Sequence, residues 1–339
     1  MRPTASLPFD HYVDVLKALA EPTRLRLAMV LARSDLTVSE LTTILGQSQP
    51  RISRHLKLMA ECGVLERYQE GAFAYYRLSD KTAAGSLARD LDIRLDEGDP
   101  IVARDRDRLE QVRTERARRA ADYFARNAES WDRIRALHVS DRKVEETLDR
   151  ILGKRRIGTL LDVGTGTGRM LEVLAPRCDR AVGIDASREM LAIARTKLDD
   201  AGIVNAQVRQ GDAYNLPVEA GSFDLVVMHQ VLHYLDDPAR AVREAASVLA
   251  PGGRLVIVDF APHELEFLRA DHAHLRLGFS DESLTGFLDA CHLEMRAIEH
   301  LSSAAAETGG LTLTICIGQD RRMLLAPGET ATDTLHHYA

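Results

Sequence analysis

No run of apolar residues in this 339-residue chain approaches the roughly 18 needed to span a bilayer, so a membrane span is not expected. The opening MRPTASLPFDHY also lacks the basic and apolar segments of a secretion signal, and a cytoplasmic protein is the expectation. Cysteine is scarce: Cys62, Cys178, Cys291 and Cys316 stand far apart without CxxC spacing, which excludes a disulfide framework and a zinc site built from cysteine pairs. An excess of positive charge is missing too. With a net charge of -7 there is no uniformly basic coat for nucleic acid, and any contact with DNA has to be local. The closing LAPGETATDTLHHYA is polar and without pattern, and is expected to be loose.

One local basic island is present. QSQPRISRHLKLM, residues 47–59, carries Arg51, Arg54 and Lys57 and no acid. Ile52, Leu56 and Met59 recur at spacings of four and three, so one helical face is buried while Gln49, Arg51, Ser53, Arg54 and Lys57 stay outside. Pro50 belongs in the first turn, where its missing N–H costs nothing. Before it, Thr37 to Glu40 fits a capping box and Gly46 supplies the stop of a preceding helix. Leu25, Leu27, Met29, Val30 and Leu31 suit an earlier buried helix. The pattern is a helix-turn-helix, and GVLERYQEGAFAYYRLS after it reads as a β-hairpin wing turning at Gly71. Leu87, Leu91 and Leu95 then form an apolar stripe expected to meet a helix of a partner subunit. In DPIVARDRDRLEQVRTERARRA, charges of both signs interleave, which predicts a solvated helical connector whose arginines are alternatively able to touch phosphates.

From Ile157 to about Phe260 strands and helices alternate, as in a parallel sheet with helices on both faces. In TLLDVGTGTGRMLEVLA the glycines Gly164, Gly166 and Gly168 fall in the first strand-to-helix turn, where open α/β sheets bind nucleotides. The dinucleotide GxGxxG is absent because Arg169 stands three after Gly166, and no Gly-Lys-Ser/Thr follows to make a P-loop. A second strand, RAVGID, ends at Asp185, 23 residues beyond Asp162, where a ribose diol would lie.

These segments together with Gly211-Asp212-Ala213, FDLVVMHQVLHYL and PGGRLVIVDF resemble the class I S-adenosylmethionine-dependent methyltransferases, over roughly Tyr123 to Gly318. The resemblance implies a Rossmann-like α/β fold with S-adenosylmethionine as cofactor. By position it puts Gly164, Thr165, Gly166 and Gly168 around the methionine part and Asp162 near its amino group. Asp185 would take the ribose hydroxyls, and Ala186 and Met190 would flank an adenine whose amine meets Asp212, with Ala213 giving a backbone contact. His229 and Gln230 would face the sulfonium and the acceptor. Tyr123 and Trp131, in DYFARNAESWDRIRALHV, are the candidates for an aromatic lid or else plain core.

Methyl transfer is an in-line displacement in which the protein mainly positions donor and acceptor, and His229 or His233 is the candidate base where the acceptor carries a proton. GFSDESL and its helix are similar to the acceptor region of menaquinone- and arsenite-type methyltransferases. His263, Arg269 and His272 are the candidate pocket for a small polar or anionic acceptor. His263, Glu266 and His272 are also placed to share a helix face as metal ligands, but no ligand set is completed and none is expected. No cysteine cluster accompanies the pocket, against arsenite as acceptor.

Residues 12–80 resemble the ArsR/SmtB winged-helix repressors, with SQPRISRHLKLM as recognition helix. The resemblance implies a homodimer on a palindromic double-stranded operator. Ser48, Gln49, Ser53 and Arg54 would address base edges, Arg51 and Lys57 phosphates, and Gln69 and Arg77 of the wing the neighbouring groove. His55 is left between the two roles. The metal-sensing cysteines of that family are replaced here by Thr37, Val38 and Ser39, so a signal would enter elsewhere. The expected organisation is a mostly α winged helix with its dimerisation surface over 1–98, a charged connector over 99–122, the Rossmann-like methyltransferase domain over 123–322 and a tail over 323–339. The function expected is a DNA-binding regulator fused to a methyltransferase for a small molecule. The alternative is a non-catalytic sensor of S-adenosylmethionine and its demethylated product.

Overall fold

In the computed structural model the described residues are 6–70, 73–79, 82–131, 141–153, 156–302 and 311–322. The hairpin turn at Gly71, the end of the lid segment and the tail 323–339 lie outside them. The N-terminal unit follows the punctuation of the sequence. Helix α1 (Phe9–Leu19) leads to α2 (Pro22–Leu31), whose start is capped by Glu21 accepting from Arg24 N at 2.9 Å. After the short strand β1 (Leu36–Thr37), α3 (Val38–Leu45) opens with the full capping box: Thr37 N donates to Glu40 Oε2 at 2.9 Å, and Glu40 N to Thr37 Oγ1. It stops at Gly46 in the left-handed conformation, φ 67°. Helix α4 (Gln49–Glu61) buries Ile52, Leu56 and Met59 completely, and strands β2 (Leu65–Glu70) and β3 (Phe73–Leu78) form the wing, with β1 on the far side of β3.

Two expectations change here. Helix α5 (Ala83–Ile93) buries Ala84 and Ala88, and Leu87, Leu91 and Leu95 pack partly buried on the core of their own domain. Large apolar side chains left exposed in this unit include Phe9, Tyr12 and Leu16 of α1 and Ile93 at the end of α5, along with Leu58, Phe73 and Ile101. The charged connector is also no solvated spacer. It is part of one helix, α6 (Pro100–Asn127), whose Val102, Leu109 and Val112 complete the winged-helix core. Asp105 is wholly buried on it and pairs with Arg26 at 2.5 Å. Arg108 donates to Ile44 O at 3.0 Å. The other end of α6 enters the second domain, so the boundary expected at residue 123 falls inside a continuous helix.

The second domain is a seven-stranded sheet ordered β6-β5-β4-β7-β8-β10-β9. Strands β4 (Ile157–Val163), β5 (Cys178–Asp185), β6 (Ala206–Gln210), β7 (Phe223–His229) and β8 (Leu249–Phe260) are parallel. Alternate residues supply opposite cores. Leu160, Leu225 and Val256 pack on one face with α7 (Asp141–Leu152) and α8 (Arg169–Leu174), while Leu161, Val226 and Ile257 face α10 (Pro238–Ser247) and α12 (Asp281–Ala290). Helix α9 (Arg188–Asp200) follows β5, and the short α11 (Phe267–His272) follows β8. Beyond the parallel alternation, β10 (Thr312–Asp320) inserts antiparallel between β8 and β9 (Leu293–Ser302). The fold is a winged helix joined to a Rossmann-like α/β domain, and no helix among the described residues is long and apolar enough to cross a membrane.

Candidate functional site

Strand order reverses between β4 and β7, and a cavity of about 760 Å³ opens at the carboxyl ends of the strands there. Its floor is the glycine loop. Gly164 N and Thr165 N both donate to Ile184 O, at 2.8 and 3.0 Å, which folds the loop back over β5. Asp162 accepts from Thr165 Oγ1 at 2.6 Å. Gly164 has φ 71°, and a Cβ on it would run into Val231. Gly166, φ 53°, donates its N–H to Asp185 Oδ2 at 2.8 Å, and Ser187 N donates to the other carboxylate oxygen at 2.8 Å. Burial pushes the Asp185 carboxyl above its ordinary pKa, against the pull of these backbone donors. At the end of β7, Gln230 holds a left-handed backbone, φ 53°, with its N–H on Val258 O at 2.7 Å.

Of the cofactor candidates, Asp162, Gly164, Thr165, Gly166, Asp185, Ala186, Met190, Asp212, Ala213, His229, Gln230 and Trp131 line this one cavity. Gly168 does not; it stands at the start of α8, φ 86°, close against Ala194. Trp131 lies over the loop, its indole nitrogen 3.3 Å from where a Gly166 Cβ would stand. The aromatic of α6 that lines the cavity is Phe124 rather than Tyr123, and it stands edge-on to Trp131 and Tyr234 at 5.3 and 4.7 Å. Tyr123, one residue earlier and so about 100° around the helix, turns to His272 Nδ1 at 2.7 Å, and burial raises its pKa to about 12.

The acceptor-side expectations shift more. His233 is buried outside the cavity lining, its Nδ1 2.7 Å from Asp259 Oδ1. Asp259 also accepts from Leu232 N and Phe260 N, while the His233 ring packs against Tyr234, Phe260 and His274. His263, Arg269 and His272 do not line the cavity either; from that segment Leu275 does. His263 packs edge-on to Phe260, and Arg269 reaches the wing, where it donates to Tyr75 Oη at 3.0 Å. Among the described residues no three His, Cys, Asp or Glu side chains are grouped to hold a metal ion.

Several cavity residues carry no motif. Arg113 and Arg116 project into its rim from α6, and Asp236 meets both: Arg113 Nε lies 3.2 Å from Asp236 Oδ2, and Arg116 pairs with Oδ1. Arg116 simultaneously holds Glu40 of α3 at 2.6 Å, and Ser34 Oγ donates to Asp236 at 3.0 Å. The only sequence signal for these arginines was their place in the mixed-charge run.

On the winged helix, Ser48, Gln49, Arg51, Arg54 and Lys57 lie exposed on one face of α4, with Ser53 half-buried beside them. His55 turns inward toward Glu21, 3.8 Å away. Gln69 is exposed on the wing, whereas Arg77 is half-buried, paired with Glu66 at 2.9 Å and lying over the Tyr68 ring.

Comparison with known proteins agrees with this division. Residues 21–67 match the sequence model of the bacterial regulatory proteins of the arsR family, and residues 161–257 match that of a methyltransferase domain. The uncharacterized methyltransferase YcgJ of Bacillus subtilis is 35% identical over 106 residues, 31% of this chain and 42% of its own length. A demethylmenaquinone methyltransferase of Thermus thermophilus is 40% identical over 105 residues, 30% of this chain and 47% of its own. The chain thus spans less than half the length of these relatives. The N-methyltransferase NodS of Bradyrhizobium japonicum, solved with S-adenosyl-L-homocysteine, superposes with a TM-score of 0.50 at 21% identity, covering 59% of this chain and 98% of that one, a likeness of fold. The chain therefore joins an arsR-family regulatory domain to a methyltransferase domain.

Proposed function

We propose that the protein is an ArsR-type DNA-binding regulator whose second domain binds S-adenosylmethionine and transfers its methyl group to a small-molecule acceptor. The observation that carries the reading is the convergence of the glycine loop, Asp185, Met190 and Asp212 on one cavity. The cavity is roomy enough for a nucleoside with an amino-acid arm, and its polar groups are few and placed at strand ends. Bound there, the cofactor supplies a methyl group on a positively charged sulfur. In this reading Asp185 takes the diol, Ala186 and Met190 the two faces of a base, Asp212 its amine, and the backbone of Gly164 to Gly166 the amino-acid arm, which their shared place in the cavity lining supports. Trp131 and Phe124 offer aromatic faces that favour a cation and keep water from it. His229, at the cavity wall, is the group to take a proton from an acceptor that carries one.

Asp185→Ala tests the cofactor site: S-adenosyl-L-homocysteine binding, followed by calorimetry, is expected to weaken by at least roughly tenfold, since a buried hydrogen-bonding carboxylate is lost. Unchanged affinity would remove the reading. Transfer itself is tested with labelled S-adenosylmethionine on quinones, thiols and small acids. The DNA reading rests on the exposed polar face of α4, and loss of specific operator binding on Gln49→Ala with Arg54→Ala tests it. A cytoplasmic homodimer on a palindromic site goes with that reading.

A second reading, in which the cavity serves as a sensor of S-adenosylmethionine against its demethylated product, is favoured by Arg113 and Arg116. Both line the cavity and tie it to Asp236, and Arg116 ties it to Glu40 of the helix-turn-helix.

A further inference from the structure

The wing of the regulatory domain does not stand free. The segment that follows β8 lies against its aromatic face, where Tyr75 and Tyr68 are half-buried and Phe73 stays exposed at the edge. The guanidinium of Arg269 lies 5.6 and 5.5 Å from the ring centres of Phe73 and Tyr75, and donates to Tyr75 Oη at 3.0 Å. Arg276 donates to Tyr68 Oη at 3.2 Å and to Asp35 Oδ2 at 3.4 Å, while Tyr68 itself donates to Asp35 at 2.5 Å. Both arginines are largely enclosed. An arginine stacked on aromatic rings and aimed by hydroxyls is held in plane as well as in position.

Between these two arginines sits Leu275, the one residue of the segment that lines the cavity. The same Nη1 of Arg269 that meets Tyr75 also donates to Leu275 O. Leu275 N and Arg276 N both donate to the carbonyl of His233, at 2.9 and 3.1 Å, and His233 is fixed by Asp259. Leu275 is therefore held on one side by a buried pair of the methyltransferase domain and on the other by the wing.

We propose that the wing of the regulatory domain supports the methyltransferase cavity wall from behind: Tyr75 and Tyr68, acting through Arg269 and Arg276, position Leu275. The residues involved are positioning residues and touch no reacting atom. A force that draws the wing away, such as a duplex engaging it, loosens this wall, so the two domains share a structural part and are not merely tethered. The inference rests on the cavity being the working site, but its test needs no ligand.

The test is amide hydrogen exchange on the full chain, comparing wild type with Tyr68→Phe/Tyr75→Phe, which keeps both rings and removes only the hydroxyls, and with Arg269→Lys, which acts from the other side of the contact. Both variants are expected to speed exchange at Leu275 and Arg276 by roughly tenfold, the effect of losing a hydrogen bond to a charged group, with exchange in α4 and β4 unaltered. Should the tyrosine variant loosen α4 as well, Arg269→Lys alone decides. Unaltered exchange at Leu275 and Arg276 in Arg269→Lys would overturn the proposal. Loss of S-adenosyl-L-homocysteine binding in wild type, by contrast, would strike only the functional reading.

Discussion

Gly164 is the residue on which the floor of the cavity turns. Its positive φ excludes most side chains at a cost of about 1–2 kcal/mol, and a Cβ would also have to displace Val231, the residue after the strained Gln230. Gly164→Ala is therefore expected to weaken S-adenosyl-L-homocysteine binding by at least roughly tenfold. Gly153, with nearly the same φ, 70°, but nothing near its missing Cβ, is the control: Gly153→Ala pays the backbone strain without touching the site, and its affinity should equal that of wild type. Equal losses in both variants would mean that strain alone, and not the shape of the loop, is being measured. That the glycine loop, Asp185 and Met190 meet at one cavity was legible in the sequence because each stands at an end of its own strand or helix. The choice of Phe124 over Tyr123 was not, because neighbouring aromatics differ only in rotation about a helix whose packing is set from both ends. His233 stands outside the cavity lining for a related reason: its partner Asp259 is 26 residues away, on β8.

At the scale of elements, α6 is where sequence reading and structure part most. Its alternating charges match a solvated face, yet Asp105 is buried against Arg26, 79 positions away, and Arg116 against Glu40, 76 away. Pattern alone cannot reveal that a charge has a distant partner, whereas the capping box at Thr37, the stop at Gly46 and the buried face of α4 are local and came through intact. The antiparallel β9 and β10 were missed because the alternation that announces the parallel strands ends at Phe260. The buried pair gives a measurable consequence. Removing one partner leaves the other charge uncompensated at low exposure, a loss of about 3–5 kcal/mol. Asp105→Ala should accordingly lower the urea midpoint of the winged-helix unfolding transition followed by circular dichroism. A change smaller than about 1 kcal/mol, the range of surface pairs, would show that α6 is not integral to that core.

At the scale of the whole molecule two surfaces matter, one turned outward and one inward. Outward, Phe9, Tyr12 and Leu16 share a face of α1 at spacings of three and four, with Phe9 81% and Ile93 of α5 75% exposed. For the proposed dimer this face, rather than the leucines of α5, is the one suited to a second copy, and Phe9→Asp with Leu16→Asp is expected to turn that dimer into monomer in sedimentation equilibrium; a variant that stays dimeric would place the contact elsewhere, and a monomeric wild type would overturn the proposed dimer. Inward, Asp236 gathers Arg113, Arg116 and Ser34 at the rim of the cavity. A ligand in the cavity can alter DNA affinity only if it favours one arrangement of these contacts over the other. If it does, linkage requires operator DNA to change the affinity for S-adenosyl-L-homocysteine by the same factor, commonly about 5- to 150-fold. Measuring both arms separates coupling from damage to either site. Asp236→Ala should keep each binding reaction measurable alone while bringing the factor toward one, because Arg113 and Arg116 lose the carboxylate that joins them to the second domain. A factor as large in Asp236→Ala as in wild type would mean that the cavity speaks to α4 by some other route, or through the wing contacts of Arg269 and Arg276 alone.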